Sequence, residues 1–283
     1  MGDIEIVKIL MMVGQGIWNK IIGLAVNLIS QSPENTDMWP FIMQLAGPQG
    51  PLTAIGRTLV VLFFLVGFCL ESQDPRKEMR LETIIKLFLR ICIADFFVTQ
   101  NINIFTKFYA IANGMARLVG LSDVSGYSLI PADTANAFLS ADFGFFKTIP
   151  LFLIAIILLL IIVGSAFMIL YEAYYRLVKV CMVVPFGAIV YSTIAAGSTA
   201  VSTSTVSYFK YVITTAFEVF TMQLAIKLVT VFTVGNSQIT SLISNPESYQ
   251  GIILGMAISG FSALMLVGIV KRSRELTHSL ISS

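Results

Sequence analysis

The sequence is poor in the residues on which most enzyme and metal sites depend. It contains three cysteines, Cys69, Cys92 and Cys181, and one histidine, His278. Three cysteines, all in apolar runs, argue against a disulfide framework and against a thiolate metal site. One histidine cannot form a histidine-rich cluster, and the sequence contains no nucleotide-binding or nucleophile-elbow motif. We therefore expect no cofactor, no metal and no enzymatic activity.

Charge is also scarce. Charged residues make up 12% of the 283-residue chain, whereas about a quarter of a soluble domain is charged. Hydrophobic residues make up 56%, and the net charge of +2 is too small to indicate nucleic-acid binding. A water-facing fold of this size could not bury so much apolar surface. The composition therefore predicts an all-α integral membrane protein.

Several segments are apolar and long enough to cross a bilayer, which requires about 20 residues of helix. We predict five transmembrane helices, at about 52–70, 83–100, 149–170, 211–233 and 252–270. The second helical pattern continues to Leu118, which is too long for one span, so we expect either that the excess projects outward or that the helix bends near Asn101 and Asn103. An external loop over 101–147 then precedes the third span.

The N-terminal region, 1–51, is predicted to lie outside the cytoplasm. Residues 4–29 have apolar side chains at three- and four-residue spacing and a polar opposite face, which is typical of an amphipathic helix. We expect it to be interfacial or packed on the membrane domain rather than to span the membrane. The following linker contains four prolines, which should break any helix.

The direction of the later spans depends on the segment 183–205, "VVPFGAIVYSTIAAGSTAVSTST". If this segment crossed the membrane, the basic residues after it would lie outside the cytoplasm, against the positive-inside rule. If it turns back, the basic tail 271–283 lies inside. We therefore predict a re-entrant or interfacial segment, with the N-terminus outside and the C-terminus in the cytoplasm of a multi-pass cell-membrane protein. Such a segment must be buried in protein or line a cavity.

Ionisable residues inside spans mark either a polar pathway or interhelical ion pairs. Four candidates are Arg90, Asp95, Glu218 and Lys227. We expect Arg90 to pair with Asp95 or Glu218 if the role is structural. Both roles remain open at this point.

Two further sets of residues follow from spacing. Glu172 and Arg176 are four residues apart and predict an ion pair on one helix. The cytoplasmic face and the re-entrant segment contain Arg176, Lys179, Pro185 and Gly187. Small residues of the last span predict close helix packing; these are Gly251, Gly255 and Gly260.

The layout resembles the TrbL-like ("VirB-six"-type) subunits of type IV secretion and conjugation machines. The first block that carries the resemblance is "YEAYYRLVKVCMVVPFGAIVYSTIAAG", with Arg176, Pro185, Phe186 and Ala188 at the family's positions. The second is "STVSYFKYVITTAFEVFTMQLAIKLV". Its matching positions are Phe209, Lys210, Phe220 and Gln223. The resemblance covers roughly residues 50 to 235.

The resemblance implies a channel or scaffold component that supports translocation of DNA with its relaxase, or of effector proteins. It implies a homo-oligomer and contacts with the bilayer, the ATPases, the coupling protein, and a pilus, stalk or cell-wall hydrolase. Transient contact with a single-stranded DNA–relaxase substrate is also implied. Two alternatives remain: a small-solute transporter or ion channel with a polar midplane site near Asp95 and Glu218, and a non-transporting membrane assembly factor.

Overall fold

The computed structural model describes residues 3–72, 81–120, 145–197, 199–234 and 248–282. Within these ranges the chain forms helices and turns and no strand. The α-helices are α1 (Asp3–Ser30), α2 (Trp39–Ala46), α3 (Pro51–Ser72), α4 (Leu81–Thr99), α5 (Asn101–Leu118), α6 (Phe145–Val183), α7 (Gly187–Ser192), α8 (Thr199–Val234) and α9 (Tyr249–Ser282). The prediction of an all-α fold is confirmed.

Several of these helices are long and apolar enough to cross a membrane. Five helical stretches of the described chain pass by length and composition: Ile6–Ser30, Trp39–Ser72, Thr148–Ala196, Thr203–Phe232 and Tyr249–Ile281. The bent pair α4–α5 would add a sixth. The protein is therefore a multi-pass membrane protein with about five spans. The set differs from the predicted one, because α1 passes the test and the predicted span 83–100 passes only together with α5.

The chain bends between α4 and α5, which is one of the two outcomes expected near Asn101. The two helices meet at 64°, and the side chain of Asn101 is buried, where its Nδ2 donates a hydrogen bond to the Val184 carbonyl at 2.8 Å. Helix α5 continues the helical pattern that was predicted to run to Leu118, within the segment 101–147 that was predicted to be external. This helix has a buried apolar face that a loop would lack: Ile102, Phe105, Tyr109, Ala112 and Ala116. The rest of the predicted loop, apart from its two ends, lies outside the described residues.

The proline-containing linker is also partly helical. A 3₁₀ turn forms over Pro33–Asn35, and α2 begins at Trp39 with Pro40 in its first turn. Proline is tolerated there because its missing N–H has no intrahelical partner at that position. The prediction that prolines exclude a helix here is therefore wrong.

The segment 183–205 reverses direction at a glycine. After α6 come a 3₁₀ turn (Val184–Phe186), α7 and a second 3₁₀ turn (Thr193–Ala196). Gly197 then adopts φ +68°, the left-handed conformation that glycine adopts without steric cost. The chain returns along α8. We call Val184–Ala196 the first arm and the start of α8 the second arm.

Hydroxyl groups hold the two arms together. The Thr193 and Thr205 hydroxyls lie 2.9 Å apart, and Thr205 also donates to the Val190 carbonyl at 3.2 Å. Further along, the Tyr208 hydroxyl donates to the Val183 carbonyl at 3.1 Å. These bonds join the first arm, and the residue before it, to the start of α8.

The chain divides into two compact units. The first comprises Met1–Ser30, Met115–Tyr175 and Val219–Leu276, and the second comprises Gln31–Gly114, Arg176–Glu218 and Thr277–Ser283. In the first unit, a Cβ atom at Gly14 would lie 2.9 Å from a Leu159 methyl group, and one at Gly260 would lie 2.6 Å from a Leu158 methyl group. Glycine therefore allows α1 and α9 to pack closely on α6.

In the second unit, α3 and α4 pack against the first arm. Their shared core consists of Val60, Ala94, Val98, Ala188, Tyr191 and Ala195. A Cβ atom at Gly56 would lie 2.7 Å from the Ala188 carbonyl oxygen, and one at Gly67 would lie 2.5 Å from that of Ala196. Because Gly56 faces Ala188 and Gly67 faces Ala196, α3 and the first arm run in the same direction.

The hydrogen bond between Asn101 and Val184 conflicts with part of the predicted topology. Asn101 was predicted at the outer end of the second span, and Val184 at the cytoplasmic start of the re-entrant segment. The two residues are hydrogen-bonded, so they lie at the same level of the second unit. The two predicted placements cannot both be correct. Loop charges indicate which side of the membrane each loop prefers, but they do not indicate which segments pack against each other. The conflict was therefore not visible in the sequence.

Candidate functional site

The second unit contains a buried ion pair between α6 and α8. Lys179 Nζ lies 2.7 Å from Glu218 Oε1, and the side chains are 14% and 0% exposed. The ammonium group also lies over the ring of Tyr211, 5.1 Å from its centroid. Two charges removed from water must compensate each other closely, because desolvation costs several kcal/mol per ion.

A second cation is buried next to this pair. Arg176 is 1% exposed, and its guanidinium carbon lies 5.5 Å from the centroid of the Tyr109 ring on α5. Its three nitrogen atoms have no hydrogen-bond partner within the described ranges. The Tyr109 hydroxyl lies within electrostatic range of both Arg176 and Glu218. We call Tyr109, Arg176, Lys179 and Glu218 the buried charge cluster.

The ion pair predicted between Glu172 and Arg176 does not form. Glu172 instead accepts a 3.3 Å hydrogen bond from Arg274, within the first unit. The guanidinium of Arg274 also lies over the Tyr175 ring at 5.1 Å. Spacing of four residues allowed the predicted pair, but α9 supplies a partner that spacing within one helix cannot reveal.

Arg90 and Asp95 are also paired differently from the prediction. Arg90 Nη1 lies 2.7 Å from Glu71 Oε1, and Asp95 Oδ1 lies 3.1 Å from Arg57 Nε. Arg57 also donates to the Thr99 hydroxyl. Antiparallel packing of α3 and α4 brings these residues opposite each other. Arg57 and Glu71 were not predicted as partners, because their positions at the two ends of the first span indicated only surface residues.

Lys86 has a local partner at the start of α4. Its Nζ lies 2.8 Å from Glu82 Oε1, and both side chains are exposed. The hydrogen bond from Lys86, together with its charge, lowers the pKa of the Glu82 carboxyl group. An exposed pair of this kind contributes little to stability.

The remaining predicted residues fall into two groups. Pro185 is buried in the 3₁₀ turn before α7, and a Cβ atom at Gly187 would collide with Asn101 and Tyr208. Both residues therefore serve packing of the first arm. In the first unit, Lys227 is half-buried on α8. The predicted packing glycines of α9, Gly251, Gly255 and Gly260, are all buried.

A surface pocket of about 400 Å³ lies in the second unit. Its lining comes from α8 and the C-terminal end of α9: Thr203, Val206, Ser207, Lys210, Tyr211, Thr214 and His278. The rings of Tyr211 and His278 meet edge to face, with centroids 6.3 Å apart. Lys210 and the single histidine thus face the same space, which nothing in their sequence positions indicated.

The part of the chain that the structure describes contains no cluster of side chains that could bind a metal ion. No group of three or more histidine, cysteine, aspartate or glutamate side chains is close enough to hold an ion there. The three cysteines are all free thiols. The polar sites of the described residues include ion pairs and a surface pocket, and these can hold helices together or bind a polar ligand.

Comparison of the chain with protein-family models, with curated proteins and with solved structures gave no match. The helices, by their length and hydropathy, define the class of this protein as an all-α multi-pass membrane protein.

Proposed function

We propose that this protein is a membrane-embedded channel or scaffold component of a type IV secretion or conjugation machine. One observation carries the proposal most strongly. Pro185 and Ala188, two of the residues on which the resemblance rests, are buried in the first arm, and Ala188 contacts α3 at Gly56. The first block that resembles the family therefore contributes Ala188, Tyr191 and Ala195 to the core of the second unit.

The ion pairs favour this proposal over a small-solute transporter. A midplane site was predicted around Asp95 and Glu218, but each carboxylate pairs with a different basic residue. The Arg57–Asp95 pair is about half exposed, whereas Glu218 is fully buried. Two carboxylates with separate partners and different exposure do not form one binding site. They stabilise helix contacts instead, as a scaffold requires.

The exposed apolar surface fits a subunit that contacts lipid or neighbouring subunits. Large apolar side chains of α3 and α4 that are more than half exposed include Val61, Leu62, Leu65, Ile85, Phe88, Leu89 and Phe96. Apolar surface of this extent needs lipid or protein to cover it. A homo-oligomer in the bilayer would cover part of it and would build a conduit wider than one copy encloses.

Deletion of the gene in its own host tests this function. We expect conjugative or secretory transfer to fall to the level of a strain that lacks the machine's ATPase, with growth unchanged. Plasmid-borne wild-type protein should restore transfer. A variant with Gly67→Leu, which disrupts packing of α3 on the first arm, should not. Unchanged transfer in the deletion strain would contradict the proposal.

The alternatives give different results in the same strains. A solute transporter predicts a growth or uptake defect that does not depend on transfer genes. An assembly factor predicts that transfer survives substitution of Arg90, Asp95 and Glu218 by apolar residues as long as the protein reaches the membrane. Immunoblots of membrane fractions provide the control for protein level.

A further inference from the structure

We propose that the surface pocket of the second unit binds the phosphate group of an anionic phospholipid. This site goes beyond the proposed secretion role and does not depend on it. The pocket is defined by residues of α8, from Thr203 to Thr214, together with His278.

The polar lining of the pocket suits a phosphate. Lys210 supplies a positive charge, and the His278 imidazole and the Ser207 hydroxyl can donate hydrogen bonds. No carboxylate lines the pocket within the described chain. The site would therefore attract an anion and would not repel it with a fixed negative charge. Basic pockets between membrane helices are known to bind phosphorylated lipid head groups.

The rest of the lining suits a ligand that carries an apolar part in addition to its phosphate. Val206 is 56% exposed, and the ring of Tyr211 forms another part of the wall. The volume of about 400 Å³ is much more than a free phosphate fills, and it falls in the usual range of small-molecule sites. A phospholipid supplies both parts: the phosphate for Lys210 and an apolar chain for Val206.

The wall of the pocket is held in place before any ligand arrives. The Tyr211 ring contacts two groups, with the Lys179 ammonium 5.1 Å from its centroid and the His278 ring centroid 6.3 Å away. Lys179 is itself fixed by Glu218 at 2.7 Å. A wall that does not need to be ordered on binding reduces the entropic cost of binding.

Native mass spectrometry of the full chain in detergent tests the site. The protein is titrated with phosphatidylglycerol, with phosphatidylcholine, or with inorganic phosphate. We expect phosphatidylglycerol to be retained in preference to phosphatidylcholine, and inorganic phosphate at millimolar concentration not to displace it. Equal retention of the two lipids would overturn the proposal. Displacement by inorganic phosphate would overturn the assignment to a lipid.

Variants locate the binding. Lys210→Gln should weaken retention of phosphatidylglycerol about fivefold, because a basic residue near a lipid surface contributes about that much. Lys20→Gln removes the same charge from an exposed position on α1 and should leave retention unchanged. His278→Gln lies near the C-terminus and provides a second variant if Lys210→Gln fails to fold. Equal effects of the pocket variants and the Lys20 variant would overturn the location.

Discussion

The two ends of the second unit hold their charges in opposite ways. At the turn end, Arg90 pairs with Glu71, with side chains 33% and 25% exposed, next to the reversal at Gly197. At the other end, which we call the Asn101 end, Lys179 pairs with a Glu218 that is fully buried. Both pairs have a 2.7 Å contact. Their energies should nevertheless differ, because the cost of leaving one charge alone depends on how much water reaches it.

The comparison shows that ion pairs within apolar helices can contribute to stability to different extents. The turn end uses an ion pair where glycine and short side chains already fix the chain. The Asn101 end uses buried charge where three helices, α5, α6 and α8, meet around Tyr109. Removal of one charged partner should therefore reduce the free energy of unfolding only slightly at the turn end and strongly at the Asn101 end.

The largest expected effect concerns the side of the membrane that each end faces. In a variant without Cys69, Cys92 and Cys181, single cysteines are placed at Ser72 and Thr199 at the turn end. An impermeant thiol reagent applied to intact cells should label both or neither, because Gly197 contacts Arg90, the partner of Glu71.

A cysteine at the exposed position Asn103 serves as the probe for the Asn101 end. We expect it to show the opposite labelling, because α4 separates the two ends. Labelling of Ser72→Cys without Thr199→Cys, in protein that is equally labelled after permeabilisation, would contradict the register of α3 and the first arm.

Glu218→Leu should be the most destabilising single substitution. It leaves Lys179 buried without its carboxylate, which costs about 3–5 kcal/mol. The free energy of unfolding in detergent micelles measures the effect. The double variant Lys179→Met with Glu218→Leu removes both charges and should recover most of the loss. A cost of less than about 1 kcal/mol for Glu218→Leu alone would contradict the burial of the pair that the structure shows.

Gly197→Ala should have an intermediate effect at the turn end. A residue with a Cβ atom in the left-handed conformation costs about 1–2 kcal/mol, and this Cβ would also displace the Arg90 guanidinium. The matched control is Gly23→Ala on α1, where no atom lies within 4 Å of the added methyl group. Alanine should stabilise that helix by about 0.5–1 kcal/mol. Opposite signs in the two unfolding experiments are the expected result.

Glu71→Gln should have the smallest effect, about 1 kcal/mol or less, since both side chains of the pair are partly exposed. Added salt should reduce the difference from wild type, because ions screen exposed charges. A loss as large as that of Glu218→Leu would remove the contrast between the two ends.

Much of the fold was predictable from local pattern. The all-α class follows from hydropathy, and a bend near Asn101 was one of the two outcomes that the length of the second helical pattern allowed. Partners were not predictable in the same way. Glu71, Arg57 and Arg274 each lie far along the chain from the residues they bind, so no spacing rule identifies them.

The sequence by itself determined that this chain forms apolar helices, where most of them lie and which residues carry charge inside them. Those properties depend on neighbours within one or two helical turns, which the sequence displays directly. Only the tertiary structure decided which charges are paired and buried, that α3 runs parallel to the first arm, and that Lys210 and His278 share a pocket. These depend on contacts between residues up to 102 positions apart, as for Glu172 and Arg274. Such contacts are set by the packing of side chains, which local pattern does not specify.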